Sequence, residues 1–206
     1  MVTDRRRLGA EADDALLQRI GLAARAGLHL IQIRERDLAD GALLALVSRA
    51  VDAVRGTRAR VLVNDRADVA VAAGAHGVHL RSDSVPAARV RRMVPRGFLI
   101  GRSVHDAEEA VRAAEGGELD YLLFGTVFET SSKPGRASGV GALARVVGQV
   151  ARLPVLAIGG VTLGNRAELA ATGCAGFAAI GMFAECDRGS LPEVAAAAAA
   201  PWENRN

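Results

Sequence analysis

A few short stretches carry residues whose types suit phosphate chemistry. Gln32, Arg34 and Arg36 alternate along one stretch, with Glu35 between the two arginines. Asn64 and Asp65 are adjacent, and Asp83 follows further along. Ser103 stands in a Ser103-Val104-His105 run, and Thr130-Ser131-Ser132-Lys133 ends on the only lysine of a chain whose other basic residues are all arginine. Arg34, Arg36 and Lys133 can neutralise a highly charged phosphate group: arginine offers a planar fork, lysine a compact charge that fits tightly against one oxygen. Asp65 and Asp83 offer hard oxygen ligands to Mg2+, an ion that usually shares itself with substrate phosphates. Gln32, Asn64 and Ser103 can donate hydrogen bonds. Gly159-Gly160 and Ile180-Gly181 are expected just before helix starts, where free N–H groups bind a second phosphate. Each residue also has a plainer reading. Asp65 and Asp83 can cap the helices that follow them, Arg34-Glu35-Arg36 can be alternating surface charge, and His105 can be an ordinary hydrogen-bonded histidine.

These residues need elements to hold them, and the pattern supplies a regular series. Apolar periodicity predicts helices over 13–26, 40–54, 67–73, 106–115, 140–151 and 163–172, one opening at Pro86, and a last one opening at Pro192 and stopping at Pro201. Short apolar runs predict strands over 28–33, 60–63, 77–80, 98–100, 121–124, 155–158 and 176–180. Strand and helix alternate about eight times with short connections, which predicts a parallel sheet with crossover helices. Eight units in 206 residues point to a small α/β fold, the (β/α)8 TIM barrel, as one domain over 1–206. The first strand is the exception. Met1-Val2-Thr3 leaves room only for a truncated or very short one. In such a barrel, chemistry sits at the carboxyl ends of the strands. The candidate residues all fall there, so they are expected to converge on one mouth.

Composition narrows the class. Half of the residues are hydrophobic, aromatics are 3%, and the formal net charge is only +3. No basic stripe interleaved with aromatics marks a nucleic-acid surface, and no apolar run reaches membrane-spanning length. Arg5, Arg6 and Arg7 are not followed by the apolar region of a secretion signal. Cys174 and Cys186 lack metal-ligand or redox spacing, so a cytoplasmic protein with two structural thiols is expected. Small phosphorylated molecules are the expected partners, with neither nucleic acid nor membrane; a homo-oligomer is possible.

Taken in chain order, the motifs resemble the thiamine phosphate synthase and TenI family over nearly the whole chain. Val2-Thr3-Asp4-Arg5-Arg6 looks like the end of the family's first strand. Gln32-Ile33-Arg34-Glu35-Arg36 resembles a Q-x-R-E-K signature with Arg36 in place of lysine. Asn64-Asp65, Asp83, Ser103-Val104-His105 and Thr130-Ser131-Ser132-Lys133 resemble the signatures that follow. The resemblance implies a transferase of thiamine biosynthesis that joins hydroxymethylpyrimidine diphosphate to thiazole phosphate and releases pyrophosphate. It implies Mg2+ on Asp65 and Asp83. It places the pyrimidine diphosphate on Gln32, Arg34, Arg36, Asn64, Ser103 and Lys133, with Arg34, Arg36 and Lys133 catalytic. It places the thiazole phosphate on Thr130, Ser131, Ser132, Gly160, Ile180 and Gly181. The family's other activity is the TenI-type tautomerase, which aromatises thiazole phosphate without diphosphate or metal. That activity is expected to need a base where Thr126 stands, and to dispense with Asp65 and Asp83. Arg81, in a loop that is glycine-rich in the synthases, departs from their pattern. A silent binder of thiazole or thiamine phosphate is the third reading.

Overall fold

The computed structural model describes residues 1–9, 12–130, 134–150 and 152–203. Among these residues, seven parallel strands follow one another in the sheet in chain order. The chain forms two compact units, one of Met1–His79 with Ile180–Ala199 and one of Leu80–Ala179 with Ala200–Asn206.

The first unit begins with a stub in place of a strand. Val2 makes a single parallel bridge to Gln32. Gln32 N–H donates to the Met1 carbonyl (2.9 Å), and Thr3 N–H donates to the Gln32 carbonyl (3.0 Å). Of the expected first strand, truncated or very short, the described residues show this single bridge. A 3-10 turn over Arg5–Leu8 follows, then α1 (Ala12–Arg25), β1 (Leu30–Ile33), α2 (Asp40–Ala53), β2 (Arg60–Asn64), α3 (Ala67–Ala72) and β3 (Gly77–Leu80). In α1, Leu16, Leu17, Ile20, Ala23 and Ala24 recur at helical spacing and are buried. They pack with Leu43, Leu46, Val47 and Ala50 on the facing side of α2. The interior residues of β1 and β2 are buried in succession rather than alternately, as expected of parallel strands covered on both faces.

The second unit holds α4 (Ala87–Arg91), β4 (Leu99–Val104), α5 (Ala107–Glu115), β5 (Tyr121–Gly125), α6 (Gly139–Gln149), β6 (Val155–Ile158), α7 (Arg166–Ala171) and β7 (Gly176–Ala178). Every residue of β5 is buried. Helix α5 starts from a reciprocal cap. The Asp106 carboxylate accepts from Glu109 N–H (2.7 Å), and Glu109 reaches back to His105 N–H (2.7 Å). A short helix α8 (Gly181–Ala184) follows β7, and the long α9 (Leu191–Glu203) ends the described chain.

Four expectations need correcting. Strand β4 runs to Val104 rather than Ile100, which places Arg102 and Ser103 on the strand itself. The helix expected from Leu163 starts only at Arg166, because Thr162 and Asn165 exchange side-chain and backbone hydrogen bonds in a turn first. Helix α4 is capped by Pro86, with no side-chain cap from Asp83 or Ser84. Helix α9 continues past Pro201, where Trp202 Nε1–H donates to the Cys174 carbonyl (2.9 Å) and its ring packs 5.5 Å from Phe177. None of the described helices is long and apolar enough to cross a membrane.

Candidate functional site

The carboxyl ends of β1 and β2 carry the first group of candidates. Gln32 lies inside β1, 6% exposed, and its side-chain amide donates to Asn64 Oδ1 (3.1 Å) at the last position of β2. Two residues expected to hold one substrate thus hold each other across neighbouring strands. Asp65 comes next and has φ 61°, the only non-glycine residue with positive φ among those described. Its N–H donates to the His79 carbonyl at 2.9 Å, which anchors the turn. Asp65 does not cap α3, whose N-cap is Arg66 without a side-chain cap bond. A non-glycine residue in the left-handed region costs free energy, and such residues cluster where a side chain must be aimed.

Arg34 and Arg36 follow β1. Arg34 is half-buried; burial first, then the like charge of Arg36, pull its guanidinium below its ordinary pKa. Arg6 on the N-terminal turn adds to the same positive field. Between the arginines, Glu35 is the opposite of a surface charge. It is 4% exposed, and its carboxylate accepts from the Thr3 hydroxyl and from Arg5 N–H, the latter at 3.1 Å to each oxygen. Sequence reasoning missed Thr3 and Glu35 as parts of the site, because a carboxylate between two arginines reads as exposed alternation. Ile180 caps α8 and Gly181 opens it in this same unit, and the Ile180 carbonyl accepts from Phe183 and Ala184 N–H.

Burial pushes the Glu35 pKa up from its ordinary 4.5; the Thr3 and Arg5 hydrogen bonds oppose the rise without cancelling it. A carboxylate raised by folding favours the folded state most below its unfolded pKa, and that contribution is lost as pH rises through the folded value. The stability difference between the wild type and Glu35→Gln is therefore expected to move in the variant's favour as pH rises from about 4 towards neutrality. Thermal unfolding of both across a pH series checks this; a constant difference contradicts it.

The second unit carries the remaining described candidates. Asp83 lies in the loop after β3, paired with the Arg81 guanidinium. Arg81 N–H donates to Ser84 Oγ (2.9 Å). A further residue, unassigned by sequence reasoning, holds this loop. Arg102 on β4 donates to the carbonyls of Ser82 (3.1 Å), Ser84 (3.3 Å) and Val85. One guanidinium fork thus fixes three carbonyls on either side of Asp83. An arginine within an apolar run in the middle of the sheet was the available signal. Ser103 sits beside Arg102 on β4, in register with Leu123 of β5.

After β5 the chain stays pressed against the end of β6. Val127 N–H donates to the Ile158 carbonyl (2.9 Å) and Phe128 N–H to the Gly159 carbonyl (3.0 Å). This explains Gly159-Gly160 physically. A Cβ on Gly160 would lie 2.5 Å from the Glu129 carbonyl oxygen, and both glycines have positive φ. Gly160 is thus needed for close backbone approach, and it lies six residues before α7 rather than at its start. Thr130 is half-buried past the contact. Ser131, Ser132 and Lys133 lie outside the described residues. Thr126, where a tautomerase base is expected, is 9% exposed. His105 is exposed, with Nδ1 2.6 Å from the Gly125 carbonyl beside Thr126.

Comparison with known proteins accords with this geometry. The family described as "Thiamine monophosphate synthase" matches residues 1–183. The chain is 42% identical to the thiamine-phosphate synthase of Methanoculleus marisnigri over 160 residues, covering 77% of this chain and 75% of that one. It is 38% identical to the thiamine-phosphate synthase of a Roseiflexus species over 182 residues, covering 87% and 75% respectively. Among solved structures, a thiamine phosphate pyrophosphorylase from Pyrococcus furiosus superposes with a TM-score of 0.84 at 30% identity, over 98% of this chain and 93% of that one.

Proposed function

The chain belongs to the thiamine monophosphate synthase family, and on that premise we propose that it joins hydroxymethylpyrimidine diphosphate to thiazole phosphate, giving thiamine phosphate and pyrophosphate. We further take it as one (β/α)8 barrel domain in the cytoplasm, with Met1-Val2-Thr3 as the truncated or very short first strand. The observation that carries the functional reading is Asp65. A carboxylate is held in the left-handed region at the end of β2, beside the Gln32–Asn64 pair. By the family resemblance, a metal-free tautomerase dispenses with this aspartate.

The residues present suit Mg2+. Asp65 and Asp83 would hold it, and their carboxylate oxygens are the hard donors it takes. Among the described residues no three His, Cys, Asp or Glu side chains gather into a ligand cage. Arg81 on Asp83 is no obstacle. Both side chains are substantially exposed, at 45% and 65%, so the pair is worth about 0–1 kcal/mol and yields to a divalent ion. Bound there, Mg2+ would supply charge neutralisation on the departing pyrophosphate.

The chain's own residues do the rest. Arg34, Arg36 and Lys133 stabilise the charge that builds on the pyrophosphate oxygens as the methylene C–O bond breaks with its electron pair. Gln32, Asn64 and Ser103 orient the pyrimidine diphosphate. Thr130, Ser131 and Ser132, with the backbone at Gly160, Ile180 and Gly181, hold the thiazole phosphate so that its ring nitrogen captures the pyrimidine methylene cation. The new C–N bond uses the nitrogen lone pair, so no strong base is needed, and most of the acceleration is positioning and charge stabilisation. Thr126 accords with this, since a hydroxyl is a poor proton shuttle near neutral pH.

One observation favours the tautomerase as the second reading: the His105 ring beside Thr126 offers a base in the neighbourhood where that reaction needs one. Thiazole phosphate alone, without diphosphate or metal, separates the two. The synthase leaves it unchanged; accumulation of the aromatised product would establish the tautomerase.

Arg102 gives a further prediction. If its fork presents Asp83 to the metal, Arg102→Ala is expected to raise the Mg2+ concentration for half-maximal rate about tenfold, the usual cost of losing a residue that orients a ligand. Faster hydrogen exchange of the amides around Ser84 should accompany it. An unchanged Mg2+ titration removes Arg102 from this role.

A further inference from the structure

The Thr3 hydroxyl has one proton and two neighbours. It donates to Glu35 Oε1 and accepts from Arg34 N–H (3.0 Å). This exchange stands where a parallel ladder would continue. Gln32 N–H donates to the Met1 carbonyl and Thr3 N–H to the Gln32 carbonyl. The next rung would run from Arg34 N–H to the Thr3 carbonyl. Instead the Thr3 side chain takes that N–H, and the chain leaves the sheet at Arg34. Glu35 completes the joint from the other side. Its carboxylate receives the hydroxyl proton and Arg5 N–H, so the buried acid is tied to the N-terminal stub by three donor contacts.

We infer that Thr3 and Glu35 are positioning residues for Arg34, the arginine that the proposed function assigns to the diphosphate; the inference rests on that assignment. Neither residue need touch substrate. Thr3 is 1% exposed and Glu35 4%, so both are spent on the joint. A buried carboxylate is retained only where its partners compensate its lost hydration. Here the partners are the backbone on one side of the joint and the hydroxyl that holds Arg34 on the other. The charged groups around Glu35 are Asp4, Arg5 and Arg34, and Arg6 and Arg36 share the field at Arg34. The joint thus gathers three arginines, Arg6, Arg34 and Arg36, whose mutual repulsion is unfavourable until a polyanion arrives. Asp4, which pairs with Arg6 at 3.3 Å, is the stronger counter-charge at Arg34.

The test uses inorganic pyrophosphate as the probe, titrated calorimetrically into the whole chain in the presence of Mg2+. Thr3→Val keeps side-chain size and leaves every charge in place while removing the hydroxyl. The Kd for pyrophosphate is expected to rise about tenfold or more, as displacement of a positioned group does. The KM for thiazole phosphate should stay within about twofold, because only one substrate loses its contact. Thr3→Ser, which keeps the hydroxyl, should restore wild-type binding. Glu35→Gln sharpens the result. A carboxylate acting only through its field would tighten pyrophosphate binding when neutralised, whereas positioning predicts weaker binding. Glu35→Gln also decides the matter if Thr3→Val does not fold. Unchanged Kd in a folded Thr3→Val, or tighter binding in Glu35→Gln, overturns the inference while leaving the assignment of Arg34 intact. Failure of the wild type to bind pyrophosphate removes that assignment, and the inference with it.

Discussion

Lys133→Ala is expected to lower turnover by about a hundredfold or more, the usual loss when one contact to transition-state charge is removed. Lys133 is the single lysine among the chain's Lys and Arg residues, and the proposed function sets it against the departing pyrophosphate. A compact ammonium can sit against one phosphate oxygen; a planar fork needs more room and a different approach. Lys133→Arg should therefore recover only part of the rate. The effect belongs mainly in kcat, because the charge that Lys133 meets is greatest as the pyrophosphate departs. Steady-state kinetics with both substrates saturating reads this directly. Unchanged turnover in Lys133→Ala takes the residue out of the site.

Asp65→Asn is expected to have an effect of comparable size, about a hundredfold or more, through loss of Mg2+ rather than of a direct charge contact. The backbone makes this variant informative. Asparagine tolerates the left-handed region about as well as aspartate, so the turn at φ 61° should survive with its N–H still on the His79 carbonyl. The fold should therefore keep its unfolding temperature while the metal response disappears. Asp65→Ala should instead lose stability as well, by about 1–3 kcal/mol, since alanine is strained there. Excess chelator should reproduce the activity loss in the wild type and add nothing in Asp65→Asn. Full activity in chelator would sink the metal-dependent reading.

Much of this fold was legible because its signals are local. Runs such as Val61-Leu62-Val63 and Tyr121-Leu122-Leu123-Phe124 are continuous apolar segments between turns, and they became β2 and β5 nearly as expected. Met1-Val2-Thr3, expected to hold a truncated or very short first strand, contributes one bridge to Gln32. What sequence did not show depends on contacts between distant residues. Glu35 reads as surface charge until Thr3 and Arg5 are brought against it. Asp83 reads as a helix cap until Arg81 claims its carboxylate. Arg102 is one arginine among many until its fork meets the carbonyls of Ser82, Ser84 and Val85. Gly160 was assigned to phosphate from its place after a strand, yet its immediate constraint is the backbone of Glu129 passing where a Cβ would stand. Local pattern placed the candidates at strand ends; it could not show which of them are held by one another.

The central claim is that the chain couples two phosphorylated substrates with pyrophosphate as leaving group. Its most direct test is the stoichiometry of products from the purified protein given hydroxymethylpyrimidine diphosphate, thiazole phosphate and Mg2+. One pyrophosphate per thiamine phosphate is predicted, with neither product formed when either substrate is omitted. Thiazole phosphate converted with no pyrophosphate released, or neither product above background with Mg2+ and both substrates present, would contradict it.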